Sequence, residues 1–300
     1  MKEKNKKKIK FYDPQIDFKK ESINKRLQFF ENTNTPIPSE VEISESGICN
    51  RKCSFCPRSD PNYPDLNEFI SKNLHNKLCD ELKEINFSGL IIYSGFVEPM
   101  LDKNIYNLVN YAKKTNPSAR VEIISNGDVL NEKRLKKIYE SGLDRLQISL
   151  YDGEDQFKKF QQLGKSLNLS EEQYVLRKRY LSEEQDFGIT LSNRGGMLTK
   201  STYKIAPKAE PVNSTCNYPS YKFFLDYNGD VLMCSHDWGK KNILGNLKNQ
   251  SLKDIWLSEK SMDARKKLNN ADRTLSPCNV CDVDGGLIGN SHAQAWKKIL

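Results

Sequence analysis

Apolar residues along this chain switch repeatedly between a period of two and a period near 3.6. VEISESG (41–47) and GLIIYSG (89–95) read as strands, and NEFISKNLHNKLCDELKEI (67–85) between them carries apolar residues at helical spacing. The helix NIYNLVNYAKK (104–114) follows, then the strand RVEIISNG (120–127). Next come the helix NEKRLKKIYESG (131–142), ended by Gly142, and the strand DRLQISLYDG (144–153). QYVLRKRYL (173–181) and DFGITLS (186–192) supply two further strands. Strands alternating with helices of this length predict βαβ units, an α/β fold with a parallel sheet. Such a sheet puts its ligand site at the carboxyl ends of the strands. CNRKCSFCP follows the first strand, SNG the third and YDG the fourth, so all three share that rim.

The two ends of the chain are different. Residues 1–35 are polar and lysine-rich, with helical periodicity around INKRLQFFE, and read as an N-terminal extension. APKAEP near residue 206 marks a linker. Beyond it, FFLDYNGDVLMC (223–234) predicts a hairpin with a two-residue type I′ turn at Asn228-Gly229. SLKDIWLSEKSMDARKKLN (251–269) predicts one helix burying Ile255, Trp256, Met262 and Leu268, and SPCNVCDVDGG (276–286) a tight loop. The expected organisation is therefore an extension over 1–35, a core over 36–205 and a small module over 206–300.

Composition narrows the class. With 37% hydrophobic residues the chain can build a core, and no apolar run approaches the roughly 20 residues that span a bilayer. MKEKNKKKIK has no hydrophobic stretch behind it and is no secretory signal, so the expected location is the cytoplasm, with no membrane partner. The net charge of +8 is concentrated in that N-terminus, and the other lysines alternate with acids along helix faces. A nucleic-acid partner is therefore not expected, although an anionic small-molecule substrate suits the excess.

Seven of the eight cysteines fall in two groups, Cys49, Cys53, Cys56 and Cys216, Cys234, Cys278, Cys281. In a reducing compartment such groups read as metal sites rather than disulfides. Three thiolates on one loop leave a metal short of a closed shell; a zinc knuckle would need a remote fourth ligand. Four thiolates suit closed zinc or an iron–sulfur cluster equally well. A zinc-stabilised binding protein is thus the reading from a different class. Cys79 stands mid-helix beside Leu78 and Leu82 and reads as a buried structural thiol. His75 and His292 read as ordinary surface or packing residues.

The spacing Cys-x3-Cys-x2-Cys, with Phe55 before the last cysteine, resembles the signature of the radical S-adenosylmethionine (SAM) enzymes. The resemblance implies a partial (β/α)6 barrel and a [4Fe–4S] cluster held by Cys49, Cys53 and Cys56. The open iron would chelate SAM, and a released 5′-deoxyadenosyl radical would take hydrogen from substrate. YSGFVEPML (93–101) is similar to the family's G-x-G-E-P segment at Gly95, Glu98 and Pro99, with Val97 in place of the second glycine. On the same resemblance Phe55, Ser125, Asn126, Ser149 and Arg177 join the SAM contacts, with Arg177 on the SAM carboxylate. The C-x12-G-x4-C…C-x2-C pattern of Cys216, Gly229, Cys234, Cys278 and Cys281 resembles the Twitch module, a shortened SPASM domain. No cysteine follows Cys281, which implies one auxiliary [4Fe–4S] cluster.

CSHDWG (234–239) offers His236 as a proton acceptor oriented by Asp237. Tyr93 and, in SNRGG (192–196), Asn193 and Arg194 are candidates for substrate contact. The single-auxiliary-cluster plan is similar to that of the aminocyclitol-dehydrogenase branch of the family. It implies two-electron oxidation of a hydroxyl-bearing sugar or cyclitol, with the auxiliary cluster as electron acceptor and flavodoxin or ferredoxin as reductant. Peptide modification and sugar epimerisation or dehydration are the alternative reactions.

Overall fold

The computed structural model describes residues 16–180, 192–200, 204 and 206–300. Helix α1 (Ile16–Lys25) precedes strand β1 (Glu40–Ser44); the short β2 (Ser46–Gly47) then pairs antiparallel with β3 (Leu66–Phe69). Helix α2 (Lys72–Glu84), β4 (Leu90–Tyr93), α3 (Ile105–Thr115), β5 (Arg120–Ser125), α4 (Glu132–Glu140), β6 (Arg145–Leu150), α5 (Glu154–Ser166) and β7 (Tyr174–Lys178) follow in alternation. The C-terminal part comprises α6 (Tyr218–Tyr221), β8 (Lys222–Asp226), β9 (Asp230–Leu232), β10 (Ile243–Asn246), α7 (Leu252–Trp256), α8 (Glu259–Asn269) and α9 (Asn290–Lys297).

One eight-stranded sheet runs β10-β9-β8-β1-β4-β5-β6-β7. Strands β1, β4, β5, β6 and β7 are parallel neighbours, the expected α/β barrel sheet. The C-terminal part continues it directly. β8 lies parallel to β1, with Glu40 opposite Lys222 and Ser44 opposite Asp226, and β9 and β10 extend it antiparallel. The expected strand over 186–192 lies, apart from Ser192, outside the described residues, as does much of the linker region around 201–205.

Period-two alternation sorts the strands into two faces. Val41, Ile43, Ile91, Tyr93, Val121, Ile123, Leu146, Ile148 and Leu225 pack outward against Leu78 and Leu82 of α2, Leu108 and Val109 of α3, and Leu135 and Ile138 of α4. Each such side chain, fully buried, contributes about 1.5–3 kcal/mol. The opposite face carries Glu40, Glu42, Glu122, Arg145, Gln147 and Lys222, all buried. They satisfy one another: Lys222 pairs with Glu40 at 2.7 Å and also with Glu42, and Gln147 donates to Glu122 at 2.8 Å. The interior face therefore combines these buried charges with apolar residues such as Leu90, Ile92 and Phe224.

Four sequence expectations are corrected. Residues 66–69 form a strand, because Ser71 caps α2 by accepting the Leu74 N–H and Ile70 N–H donates to Glu45 O. The 251–269 segment is two helices, because Ser258 accepts the Ser261 N–H and starts α8 anew. The hairpin has a three-residue loop rather than a type I′ turn. Gly229 N–H donates to Asp226 O, and Gly229 (φ +93°) alone of the pair enters the left-handed region. Finally, α1 is more than a polar extension: Ile23 is buried with Leu90, Ile92 and Tyr221, and Phe18 lies under Arg120 and Arg145. Helices α5 and α9 are additional to the sequence reading.

Candidate active site

Everything that carries chemistry in the cysteine loop is held at the strand ends by arginines. Arg58 is buried; its guanidinium donates to Phe96 O (2.6 Å), Gly47 O (2.9 Å) and Asp65 (2.8 Å). Arg51, between Cys49 and Cys53, forks onto Asp128 after β5 and Asp152 after β6, with contacts of 2.5–2.9 Å. Asn126 donates to Asn50 at 2.8 Å, adding a third tie. The loop that follows β1 is thereby fixed to the loops after β5 and β6.

Burial pushes all three thiols upward, Cys53 to about 11, while Arg58 beside Cys49 and Cys56 and Arg51 beside Cys53 oppose the shift. Cys56 and Cys49 add to the charge cost at Cys53, and Cys56 to that at Cys49, so the sulfurs lie within electrostatic reach of one another. Phe55 packs on Tyr151 at 5.2 Å between ring centroids, and Arg51 stands 5.6 Å over the same ring.

The Gly95–Pro99 segment crosses beside this loop. Gly95 takes φ +95°, and Glu98 N–H donates to Ile48 O at 3.1 Å. The buried Glu98 carboxylate accepts Ser125 Oγ–H (2.7 Å), Asn126 N–H (2.6 Å) and Met100 N–H (3.0 Å). Burial nevertheless lifts it to about 7, against those three lowering bonds. Ser149 sits opposite Arg177 in the β6–β7 register. Gly95, Glu98, Pro99, Ser125, Asn126, Ser149 and Arg177 are thus gathered on successive strand ends around the cysteine loop. Val97 joins an apolar cluster with Phe96, Phe224, Leu232, Trp238 and Cys56. Its bulk has a place to go.

The second cysteine group is more deeply buried. Cys234 is pushed well upward by burial and by Cys278, Cys216 and Cys281, so the four sulfurs converge. Cys216 rises to about 11 and Cys278 to about 12 by burial, opposed by Arg273. Arg273 is itself buried, donating to Ser214 O (2.9 Å), Thr215 O (3.1 Å) and Val283 O (3.3 Å). Gly285 lies so close that a Cβ there would meet Cys216 Sγ at 2.1 Å. Among the described residues no three His, Cys, Asp or Glu side chains form a site for a single metal ion. What fits both places is the donor set. Clustered thiols whose negative forms burial and mutual repulsion disfavour are released by a positively charged metal core, and thiolate sulfur is the ligand of iron–sulfur clusters. Cys49, Cys53 and Cys56 would hold one, and Cys216, Cys234, Cys278 and Cys281 the other.

Between the two groups stand an aromatic wall and one arginine. Phe96 lies 4.6 Å from Trp238 and 5.0 Å from Phe224, with Tyr63 5.8 Å from Trp238. Arg194, at φ +50°, acts electrostatically on Cys56, on Tyr151 and on His236, and its buried Nε has no partner among the described residues. His236 N–H donates to Cys234 Sγ, and its Nε2 lies 3.3 Å from Tyr218 Oη. Burial, with Arg194 and Lys222, lowers His236 to about 3, so the ring is neutral.

Three expected site residues lie elsewhere. Tyr93 faces the helices, since it alternates with Ile92, and its hydroxyl bonds the buried His75 at 2.7 Å. Asp237 does not orient His236; its carboxylate accepts the N–H groups of Lys241 and Asn242 at 2.9 and 2.7 Å. Asn193 is spent on the CxxC loop, donating to Val280 O at 2.6 Å and taking its backbone N–H to Asp282. Cys79 and His292 are buried packing residues, as expected. The sequence reading missed Arg51, Arg58 and Arg273. Only the first, lying inside the motif, left a signal that could have been followed.

Comparison with known proteins agrees with this arrangement. The radical SAM superfamily model matches residues 43–168 and an iron–sulfur cluster-binding SPASM domain matches residues 216–282. The S-adenosyl-L-methionine-dependent 2-deoxy-scyllo-inosamine dehydrogenase of Niallia circulans is 31% identical over 245 residues, 81% of this chain and 92% of that protein. The crystal structure of BtrN in complex with AdoMet and 2-DOIA superposes with a TM-score of 0.68 and 29% identity, covering 83% of this chain and 94% of that one. The structure of native anSMEcpe with bound AdoMet, at 13% identity, 87% and 95% coverage and a TM-score of 0.51, shares the fold alone. The chain belongs to the radical SAM superfamily of enzymes and carries a C-terminal SPASM iron–sulfur domain.

Proposed function

We propose that this enzyme dehydrogenates a secondary alcohol of an aminocyclitol or sugar-like small molecule. The observation that carries the reading is the place of Arg194 beside the second cysteine group, where a Cβ on the adjoining Gly195 would meet His236 O at 2.8 Å, while the Arg194 charge also reaches Cys56 of the first. A substrate bound at Arg194 lies between the two. The similarity to an aminocyclitol dehydrogenase over 81% of this chain supports the same reaction class.

When bound, a cluster on Cys49, Cys53 and Cys56 with SAM would supply radical hydrogen abstraction, and a cluster on Cys216, Cys234, Cys278 and Cys281 would supply an electron acceptor. The remaining work belongs to the protein. Arg51 and Arg58 fix the cysteine loop, and the Gly95–Pro99 segment, Ser125, Asn126, Ser149 and Arg177 surround the place for SAM. Phe96, Phe224 and Trp238 exclude water from the path between the sites. Arg194 donates hydrogen bonds to the substrate oxygen. His236 is neutral, with Nε2 at Tyr218 and a buried Nδ1 without partner among the described residues, so Nδ1 accepts a hydrogen bond from the substrate hydroxyl. The enzyme works in the cytoplasm, where thiols stay reduced, with flavodoxin or ferredoxin as electron source.

Anaerobic incubation of reduced enzyme with SAM and 2-deoxy-scyllo-inosamine deuterated at each ring carbinol tests the reaction. Deuterium entering 5′-deoxyadenosine, with a ketone formed, is the expected result. Deuterium transfer with a product at unchanged oxidation level overturns the dehydrogenase reading.

A further inference from the structure

On the outer side of the strand-end rim, a groove of about 370 Å³ opens between the loop after β4 and the first turns of α3 and α4. Met100 and Tyr106 give it apolar lining, and Lys103, Lys133, Arg134 and Lys137 surround it with positive charge. None of these four joins an ion pair among the described residues, whereas Lys136 beside them pairs with Glu140 at 3.9 Å. Arg134 donates to Met100 O at 3.2 Å, and Lys137 stands 4.2 Å over the Tyr106 ring. Lys103, Lys133 and Lys137 are exposed. The single carboxylate in the lining, Asp102, is buried and accepts the Asn104 N–H. The mouth is therefore strongly cationic.

The groove also touches the cysteine loop through a short route. Met100 follows Pro99 and Glu98; Glu98 N–H donates to Ile48 O; Ile48 adjoins Cys49. On its other wall, Asn131 lies three residues after Asp128, the partner of Arg51. Two peptide units, one hydrogen bond and one more peptide unit separate the groove from a cysteine of the first site.

Resting on the radical SAM reading above, we propose that this groove docks the one-electron donor, a small acidic electron-transfer protein of flavodoxin type. Free lysines around an apolar floor suit such a partner. Complementary charge steers its encounter, and the desolvated floor receives its apolar rim around the redox centre. In the docked pair the donor is oxidised by one electron and the cluster held by Cys49, Cys53 and Cys56 is reduced by one. No bond is made or broken.

The test compares the cluster-loaded wild type with a Lys133→Glu/Lys137→Glu double variant, whose changes lie outside the residues assigned to cofactor and substrate. Binding of reduced flavodoxin is measured calorimetrically at low and high salt. 5′-Deoxyadenosine formation is measured with flavodoxin and, separately, with dithionite. Expected are flavodoxin binding weakened about tenfold or more in the variant, wild-type binding that weakens with salt, and dithionite-driven formation unchanged. Flavodoxin binding that is equal in the two proteins, or undetectable for the wild type, overturns the proposal. Failure of the wild type to cleave SAM with dithionite instead overturns the radical SAM reading beneath it.

Discussion

The Glu98 carboxylate receives the backbone N–H of Asn126 at 2.6 Å, so the segment after β4 is fastened to the end of β5 by a buried acid. The acid pays for its burial by rising from 4.5 to about 7. Because the folded value lies above the ordinary one, the fold favours the protonated form. That contribution to stability is complete below pH 4.5 and is lost as pH rises through 7. The difference of 7 − 4.5 = 2.5 units corresponds to about 3 kcal/mol. Urea unfolding of cluster-free protein at pH 5 and pH 8 should show the wild type losing about that much relative to Glu98→Gln. Parallel pH profiles would contradict the assignment.

Arg273 serves the second cysteine group as Arg58 serves the first. Arg273→Lys keeps the charge but loses the fork that reaches Ser214, Thr215 and Val283, and Arg273→Met loses both. Orphaning those carbonyls costs about 3 kcal/mol or more. Iron analysis of anaerobically reconstituted protein should fall from about eight to about four atoms per chain in Arg273→Met, with Arg273→Lys between. Full iron in both variants would show that Arg273 is not needed to close the site.

Val97 fills the apolar cluster beside Cys56 and Phe96. Val97→Gly should destabilise the protein by about 2 kcal/mol through lost burial and added chain entropy. SAM affinity, read by equilibrium dialysis, should not improve. Tighter SAM binding in the variant would mean that Val97 obstructs the cofactor instead of supporting the wall.

How legible the molecule was in its sequence depended on how local the signal was. The parallel sheet was legible because β1, β4, β5 and β6 alternate with amphipathic helices. The same alternation misled at Tyr93, whose place at a strand end by the motif suggested the site while its parity sends it to His75. Helix α5 was passed over although Phe157, Phe160 and Leu163 recur at helical spacing with KK and QQ on the outer face. The break at Ser258 is a single side-chain cap, invisible to periodicity. The gathering of seven cysteines into two groups was legible, since their spacing is written in the chain. The arginines that make the thiols' burial tolerable were not: Arg273 meets Ser214 and Thr215 across 59 and 58 residues, and no local pattern announces such a partner. Asp237 failed for the opposite reason, as a nearby backbone turn claimed the carboxylate that sequence adjacency had given to His236.

The Cys53→Ala and Cys234→Ala variants test whether the two cysteine groups do different jobs in one oxidation. In anaerobic reactions with dithionite, SAM and an accepted substrate, 5′-deoxyadenosine and ketone are quantified together. Cys53→Ala should form neither. Cys234→Ala should still form 5′-deoxyadenosine, with ketone reduced far below it. Ketone formed by Cys234→Ala at the wild-type rate would contradict the account.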